Sequence, residues 1–438
     1  YPPSMRLLLV LAAAPLLALQ SVSVRVDASS SRGPWQPVWA FFGYDEPNYT
    51  YAPHGKKLLR ELSDLSPVPV YIRAHNLLTS GDGTPALKWG STNAYSEDAS
   101  GRPVYDWKIL DQIFDAYREA NLKPLVEIGF MPEALSTQPR PYQHSWFPGP
   151  GSPAISTGWA YPPRDYRKWA ELSYQWVRHA VERYGQAEVE SWYWELWNEP
   201  NILYWKGTPE EYHQLYDFTA DAVKRALPRA RMGGPHSTGP GADQAAHFLR
   251  AFLEHCLRGR NHATGQTGAP LDFIAFHAKG RPAVVDGHVR MGSSKHAQDV
   301  SRGLEIVASF PELRNKPIIL GETDPEGCAA CPASVFPQNA YRNGTLYPSY
   351  TAAILNVTYA LADRHQSNLT GAVTWAFEFE NQPYFAGFRS LATNGIDKPV
   401  LNVFRMLGLM AGDRLQAESS AAAPLDTFLS SGVPGEPD

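Results

Sequence analysis

The sequence predicts an α/β fold, a single (β/α)8 TIM barrel, on three observations. Short apolar runs alternate with longer segments of helical period, roughly eight times over, between residues 37 and 410. Alternation of this kind implies parallel strands, and eight units imply closure into a barrel. The 438 residues exceed an average domain but suit one barrel with insertions. Several of the apolar runs also end in polar, chemistry-bearing residues, as barrels do on the face that carries their sites.

The elements follow in order. Ser23–Asp27 alternates like a short edge strand, and Pro37–Gly43 is a strand closed by the polar cluster Tyr44-Asp45-Glu46. Lys56–Leu65 has helical spacing, and Val68–Ala74 is the second barrel strand, with Arg73 and His75 near its end. Residues 79–106 are rich in Gly, Ser, Thr, Asp and Asn, and a loop that long inside a compact domain is usually functional or mobile. Trp107–Ala120 is an amphipathic helix, Pro124–Phe130 a strand, residues 131–163 a second long insertion and Arg164–Tyr184 a helix.

The fourth strand belongs to Trp192-Tyr-Trp-Glu-Leu-Trp-Asn-Glu-Pro-Asn201, the stretch around which the chain is organised. Pro200 has no N–H to give a ladder, so the strand ends there and delivers Asn198 and Glu199 at its tip. Further on, helices at Pro209–Leu227, Asp243–Leu257, Ala297–Phe310, Tyr347–His365 and Val400–Met410 alternate with strands at Ala230–Gly234, Leu271–His277, Lys316–Glu322 and Thr370–Phe377. The core is expected from strands near Trp39, Ile72, Val126, Trp194, Ile274, Ile319 and Val373. Residues 412–438, rich in Ala, Ser, Gly and Pro, read as a linker or frayed tail after a barrel of residues 23–411.

Composition narrows the function classes. Hydrophobic content of 43% and charged content of 19% describe a soluble globular protein. A net charge of −5 speaks against nucleic acid as a partner. Arg6 and the short apolar run Leu7–Leu19 have the form of a secretory signal peptide within residues 1–22, and no later run is long enough to cross a bilayer. A secreted or periplasmic location is therefore expected. In that setting Cys328 and Cys331 close a small disulfide loop, with Cys256 left as a buried thiol. A redox pair or half of a zinc site is the other reading of Cys-x-x-Cys.

The chemistry rests on two carboxyls. Glu199 ends the fourth strand and Glu322 the seventh, and on a closed barrel these tips face each other across the mouth. Two carboxyls so placed suit glycosidic bond cleavage: one protonates the departing oxygen, and the other attacks the anomeric carbon or activates water. The plainer readings are an N-cap for Asn-Glu-Pro and a salt-bridge acid for Glu322.

Trp194-Glu-Leu-Trp-Asn-Glu-Pro200 and Pro317-Ile-Ile-Leu-Gly-Glu-Thr-Asp-Pro325 resemble the two catalytic blocks of glycoside hydrolase family 39, β-xylosidases and α-L-iduronidases of the clan with acids on strands four and seven. Ile72-Arg-Ala-His75, Asp272-Phe-Ile-Ala-Phe-His-Ala-Lys-Gly280 and Trp375 extend the match. The resemblance implies a retaining enzyme with Glu199 as acid/base and Glu322 as nucleophile. It implies that Asn198 holds the sugar 2-hydroxyl, that Arg73, His75, His277 and Lys279 line the terminal subsite, and that Trp375 is its floor. It implies no cofactor and no metal, with an oligosaccharide or glycoside as the partner. Family members usually carry a β-sandwich after the barrel, and here that segment is largely absent. Exo-β-xylosidase activity is the first expectation, α-L-iduronidase-like specificity the second, and a non-catalytic sugar-binding barrel the third.

Overall fold

The computed structural model describes residues 21–422 and 424–430. The expected signal peptide lies almost wholly outside the described residues. Eight parallel strands close a barrel: β1 (Phe41–Tyr44), β2 (Tyr71–Ala74), β3 (Lys123–Ile128), β4 (Tyr193–Leu196), β5 (Arg231–Ser237), β6 (Phe273–Lys279), β7 (Ile318–Asp324) and β8 (Leu369–Trp375). Pairing runs in sequence order from β1 to β8, and β8 returns to β1. Each strand is followed by its helix: α1 (Pro53–Asp64), α2 (Lys108–Glu119), α3 (Tyr166–Tyr184), α4 (Pro209–Ala226), α5 (Asp243–Arg258), α6 (Ser293–Ala308), α7 (Leu346–His365) and α8 (Pro399–Gly408).

Local chemistry sets the helix ends. Asp165 caps α3 by accepting hydrogen bonds from the backbone N–H groups of Arg167 and Lys168, and Gly185, at φ 87°, stops it. Thr208 and Glu211 form a reciprocal capping box at the start of α4, with Pro209 in the first turn. Among the described residues no helix is long and apolar enough to cross a membrane.

The strands alternate between two buried faces. Phe41, Leu125, Tyr193, Phe273, Ala275, Ile319 and Val373 fill the barrel interior, with Tyr71 against them. Their immediate neighbours point the other way, toward the helices. Of the residues expected in the core, Ile319 and Val373 therefore sit inside the barrel, whereas Ile72, Val126, Trp194 and Ile274 are buried in the outer layer. Trp194 packs edge-on against Trp176 of α3 at 5.7 Å. Truncating a buried Trp of this kind costs about 3–5 kcal/mol.

The long segment of residues 79–106 contains a small hairpin, Tyr95–Glu97 with Pro103–Tyr105. Cys328 and Cys331 form the local disulfide, and Cys256 is a buried free thiol.

The tail differs from expectation. Asp413–Ser419 pairs antiparallel with Val24–Pro34, and these two strands make a small unit separate from the barrel. Residues 413–419 are thus a strand rather than a linker. The side chains of the pair are exposed or half-exposed, and the edge strand expected at Ser23–Asp27 finds its partner in the tail.

Candidate active site

Above the apolar plug the barrel interior turns polar. Arg73 on β2, Glu127 on β3 and Glu195 on β4 point inward, all without solvent exposure. The Arg73 guanidinium donates to Glu195 at 2.5 Å and to Glu127 at 2.9 Å. It also reaches Asn198 Oδ1 at 3.1 Å and Glu322 at 3.4 Å. Burial opposes this charge, but Glu195, Glu127 and Glu322 together raise the Arg73 pKa further. His236 on β5 contacts the second oxygen of Glu195. Burial raises the pKa of Glu127 well above its ordinary value, although Arg73 pulls it down. Arg73 and His236 outweigh burial at Glu195 and lower its pKa.

The turn after β4 is strained. Trp197 and Glu199 take positive φ values of 67° and 42°, a region that costs a non-glycine residue about 1–3 kcal/mol. The Glu199 N–H donates to His236 O at 2.9 Å, and the Trp197 indole donates to Tyr204 O at 2.9 Å. These bonds hold the two side chains of Asn198 and Glu199 over the barrel mouth. Glu199 shares a 2.9 Å hydrogen bond with Nδ1 of His277 on β6. Gly321 on β7 makes room for this: a Cβ there would collide with His236 and His277.

Glu322 enters the mouth from β7 in a cationic setting. Lys279 Nζ lies 2.5 Å from its Oε2, while Arg73, His75 Nε2 and His277 Nδ1 lie 3.4, 3.7 and 3.8 Å from its Oε1. Burial pushes against its charge, but Lys279, then His277, His75 and Arg73 hold its pKa well below the usual carboxylate range. One oxygen of Glu199, one of Glu322 and a ring nitrogen of His277 lie within 4.8 Å of one another. That triad has the donor set of a metal site. Lys279, however, already supplies Glu322 with its countercharge.

Asn198, Glu199, His75, His277, Lys279, Glu322 and Trp375 all line one open pocket of about 230 Å³. Arg73, expected to line the sugar subsite, is not among the residues that line the pocket: it is fully buried, shared between Glu195, Glu127, Asn198 and Glu322, and its guanidinium lies 4.9 Å from the centre of the Trp375 ring. Trp375 is fixed from three sides. Its N–H donates to Asp324 Oδ1 at 2.9 Å, its indole donates to Asp45 at 3.1 Å, and His75 packs on its ring at 4.2 Å.

The sequence reading missed five groups of the site. Asp45 binds His75 Nδ1 at 2.9 Å and pairs with Lys88, which comes from the long segment of residues 79–106 and also lines the pocket. Glu127 and Glu195 stand opposite each other in the β3–β4 register, an acid in the middle of each apolar run. That interruption, matched by Arg73 inside β2, is the signal that could have found them. Lys295, the remaining lysine of the pocket, pairs with Asp299.

The comparisons with known proteins agree with this geometry. The model for glycosyl hydrolases family 39 matches residues 22–435. A β-xylosidase of Geobacillus stearothermophilus is 29% identical over 360 residues, 79% of this chain and 62% of that protein. An α-L-iduronidase of Mus musculus is 25% identical over 443 residues, 96% of this chain and 63% of that protein. The chain therefore spans about six tenths of the length of these relatives. The crystal structure of a monomeric β-xylosidase from Caulobacter crescentus CB15 superposes with a TM-score of 0.69 at 25% identity, covering 90% of this chain and 73% of that one.

Proposed function

The chain belongs to glycosyl hydrolase family 39, and from that premise we propose that it is a retaining exo-β-xylosidase that releases xylose from xylo-oligosaccharides by double displacement. The observation that carries the mechanism is the approach of Glu199 and Glu322, with an oxygen of each within 4.8 Å of the other. Retaining glycosidases hold their carboxyls about 5–5.5 Å apart, and inverting ones leave room for a water at about 6.5–9.5 Å. Glu322, kept ionised by Lys279 and its neighbours, is the nucleophile. Glu199, beside His277, is the acid that protonates the leaving oxygen and then the base that activates water. Asn198 has its Oδ1 engaged by Arg73, which leaves its NH₂ to donate to the sugar 2-hydroxyl.

Charge in the pocket supports a neutral sugar. Its three lysines are each paired: Lys88 with Asp45, Lys279 with Glu322 and Asp324, and Lys295 with Asp299. A uronic carboxylate would find no unpaired lysine among them. The small volume of the pocket, about 230 Å³, supports exo action on a chain end. The expected signal peptide and the disulfide support a secreted or periplasmic setting.

The test is a panel of aryl glycosides with the full chain. The expected result is that a β-D-xyloside has the highest kcat/KM. Faster turnover of an α-L-iduronide would transfer the assignment to the uronide specificity, and no turnover of any member would leave a binding barrel.

A further inference from the structure

Away from the catalytic mouth, a second cluster of ionisable side chains joins α4 to the end of α5. Asp217 in α4 has no solvent exposure, yet its ion-pair partners among the described residues are two imidazoles and no lysine or arginine. His255 Nε2 of α5 lies 2.9 Å from its Oδ1. His262, in the loop after α5, places Nδ1 2.8 Å from its Oδ2, and the His262 backbone N–H donates to the same oxygen at 2.8 Å. A buried carboxylate needs a matching charge, which in proteins is a paired cation or a coordinated metal ion.

The donor set is the kind zinc takes. The carboxylate and the two imidazole nitrogens lie within 4.8 Å of one another. Imidazole and carboxylate bind Zn²⁺ at about 2.0–2.2 Å in four-coordinate sites. The ring of His262 is oriented as a metal-ligating histidine usually is: with Nδ1 toward the centre, its Nε2 lies 3.1 Å from Glu210, one turn before His213 on α4. His262 is the most open of the three at 28% side-chain exposure, which gives an ion and a completing water a way in. A further imidazole stands against the cluster. His213 stacks on His255 with ring centroids 4.5 Å apart, and its buried Nε2 has no hydrogen-bond partner.

We propose that Asp217, His255 and His262 form a zinc site, with Glu210 as the outer partner of His262 and a water as the fourth ligand. The ion neutralises the buried carboxylate and ties the loop after α5 to α4. Its role is structural, and it takes no part in glycoside chemistry.

The test uses the full chain, stripped with a chelator and dialysed against micromolar Zn²⁺, with bound metal measured by mass spectrometry. The expected result is one retained equivalent, a higher Tm than the stripped protein, and loss of both in His262→Gln. The Glu199→Gln variant serves as the control for the catalytic triad of carboxylates and imidazole, and should retain its equivalent. Binding in His262→Gln should weaken at least ~100-fold, since outer partners alone are worth about 10–100-fold. Cobalt(II) gives a readout on the unmodified chain, because tetrahedral coordination produces intense visible absorption. No retained equivalent, retention unchanged in a folded His262→Gln, loss of the ion in Glu199→Gln, or a Co²⁺ spectrum without tetrahedral bands would each overturn the proposal.

Discussion

Glu199 and Glu322 open into the same pocket from opposite sides, and their surroundings differ in kind. Glu322 is ringed by Lys279, Arg73, His75 and His277. Glu199 has a single imidazole, His277, and sits at the tip of a strained turn. The residue type is the same, so the division of labour in the proposed mechanism would have to come from the environment: Lys279 and its neighbours lower the pKa of Glu322, whereas Glu199 faces His277. The contrast repeats one layer down, where Arg73 and then His236 lower the pKa of Glu195 while burial raises that of Glu127.

The most severe way to break the contrast is Glu322→Ala. It removes the attacking group, and kcat should fall on the order of 10⁵-fold for every substrate, including those with activated leaving groups. Glu199→Ala should lower kcat about 10²–10⁴-fold for substrates whose leaving group needs a proton. For a dinitrophenyl glycoside the first step should be spared, and added azide should accelerate breakdown of the intermediate to give the β-glycosyl azide. A retained β-glycosyl azide from the Glu322 variant, with the inverted azide from the Glu199 variant, would mean that the two roles are exchanged.

Lys279→Met sharpens the comparison without touching either carboxyl. Burial raises the pKa of Glu322, and Lys279 is the first of the groups that lower it. Without that charge the pKa rises, so the acidic limb of the kcat/KM profile should move to higher pH. Stability has the same sign: a depressed carboxyl stabilises the fold above its ordinary value of 4.5 and loses that contribution as pH falls toward its folded pKa. The variant should therefore be less stable than the parent near neutral pH, and the gap should close in acid. An unmoved acidic limb would show that Lys279 does not tune Glu322. The smallest effect is expected from Glu127→Gln. The amide mimics the protonated acid, so the change in unfolding free energy should stay below about 1 kcal/mol by denaturant titration. A loss of about 3–5 kcal/mol would mean that Glu127 is a charged partner of Arg73.

The barrel was legible because each parallel strand is a short apolar run and each helix carries its own period, and neither signal needs distant residues. Glu199 and Glu322 were legible for a related reason: a proline or a polar cluster ends the run and marks the tip. The layer beneath was not. Glu127 and Glu195 look like single interruptions in apolar strands, and their meaning depends on Arg73, which is more than 50 residues from either. The same gap hid the interior side of Arg73, since its position at a strand end is visible and its partners Glu195 and Glu127 are not. Lys88 was hidden in a segment whose composition reads only as loop, although it pairs with Asp45 at the tip of β1. The face each strand residue takes was also ambiguous, because both faces of a barrel strand are apolar. Trp194 beside Glu195 shows the consequence: the larger residue faces the helices, and the acid faces the centre.

The central claim is that Glu322 forms a covalent bond with the sugar. It is tested most directly by reacting the protein with dinitrophenyl 2-deoxy-2-fluoro-β-xyloside, digesting it and mapping the labelled peptide. The account predicts time-dependent inactivation with one fluoroxylosyl group on Glu322, and reactivation when a sugar acceptor is added. A label on Glu199, or steady turnover of β-xylosides with no covalent adduct and the α-anomer released first, would contradict it.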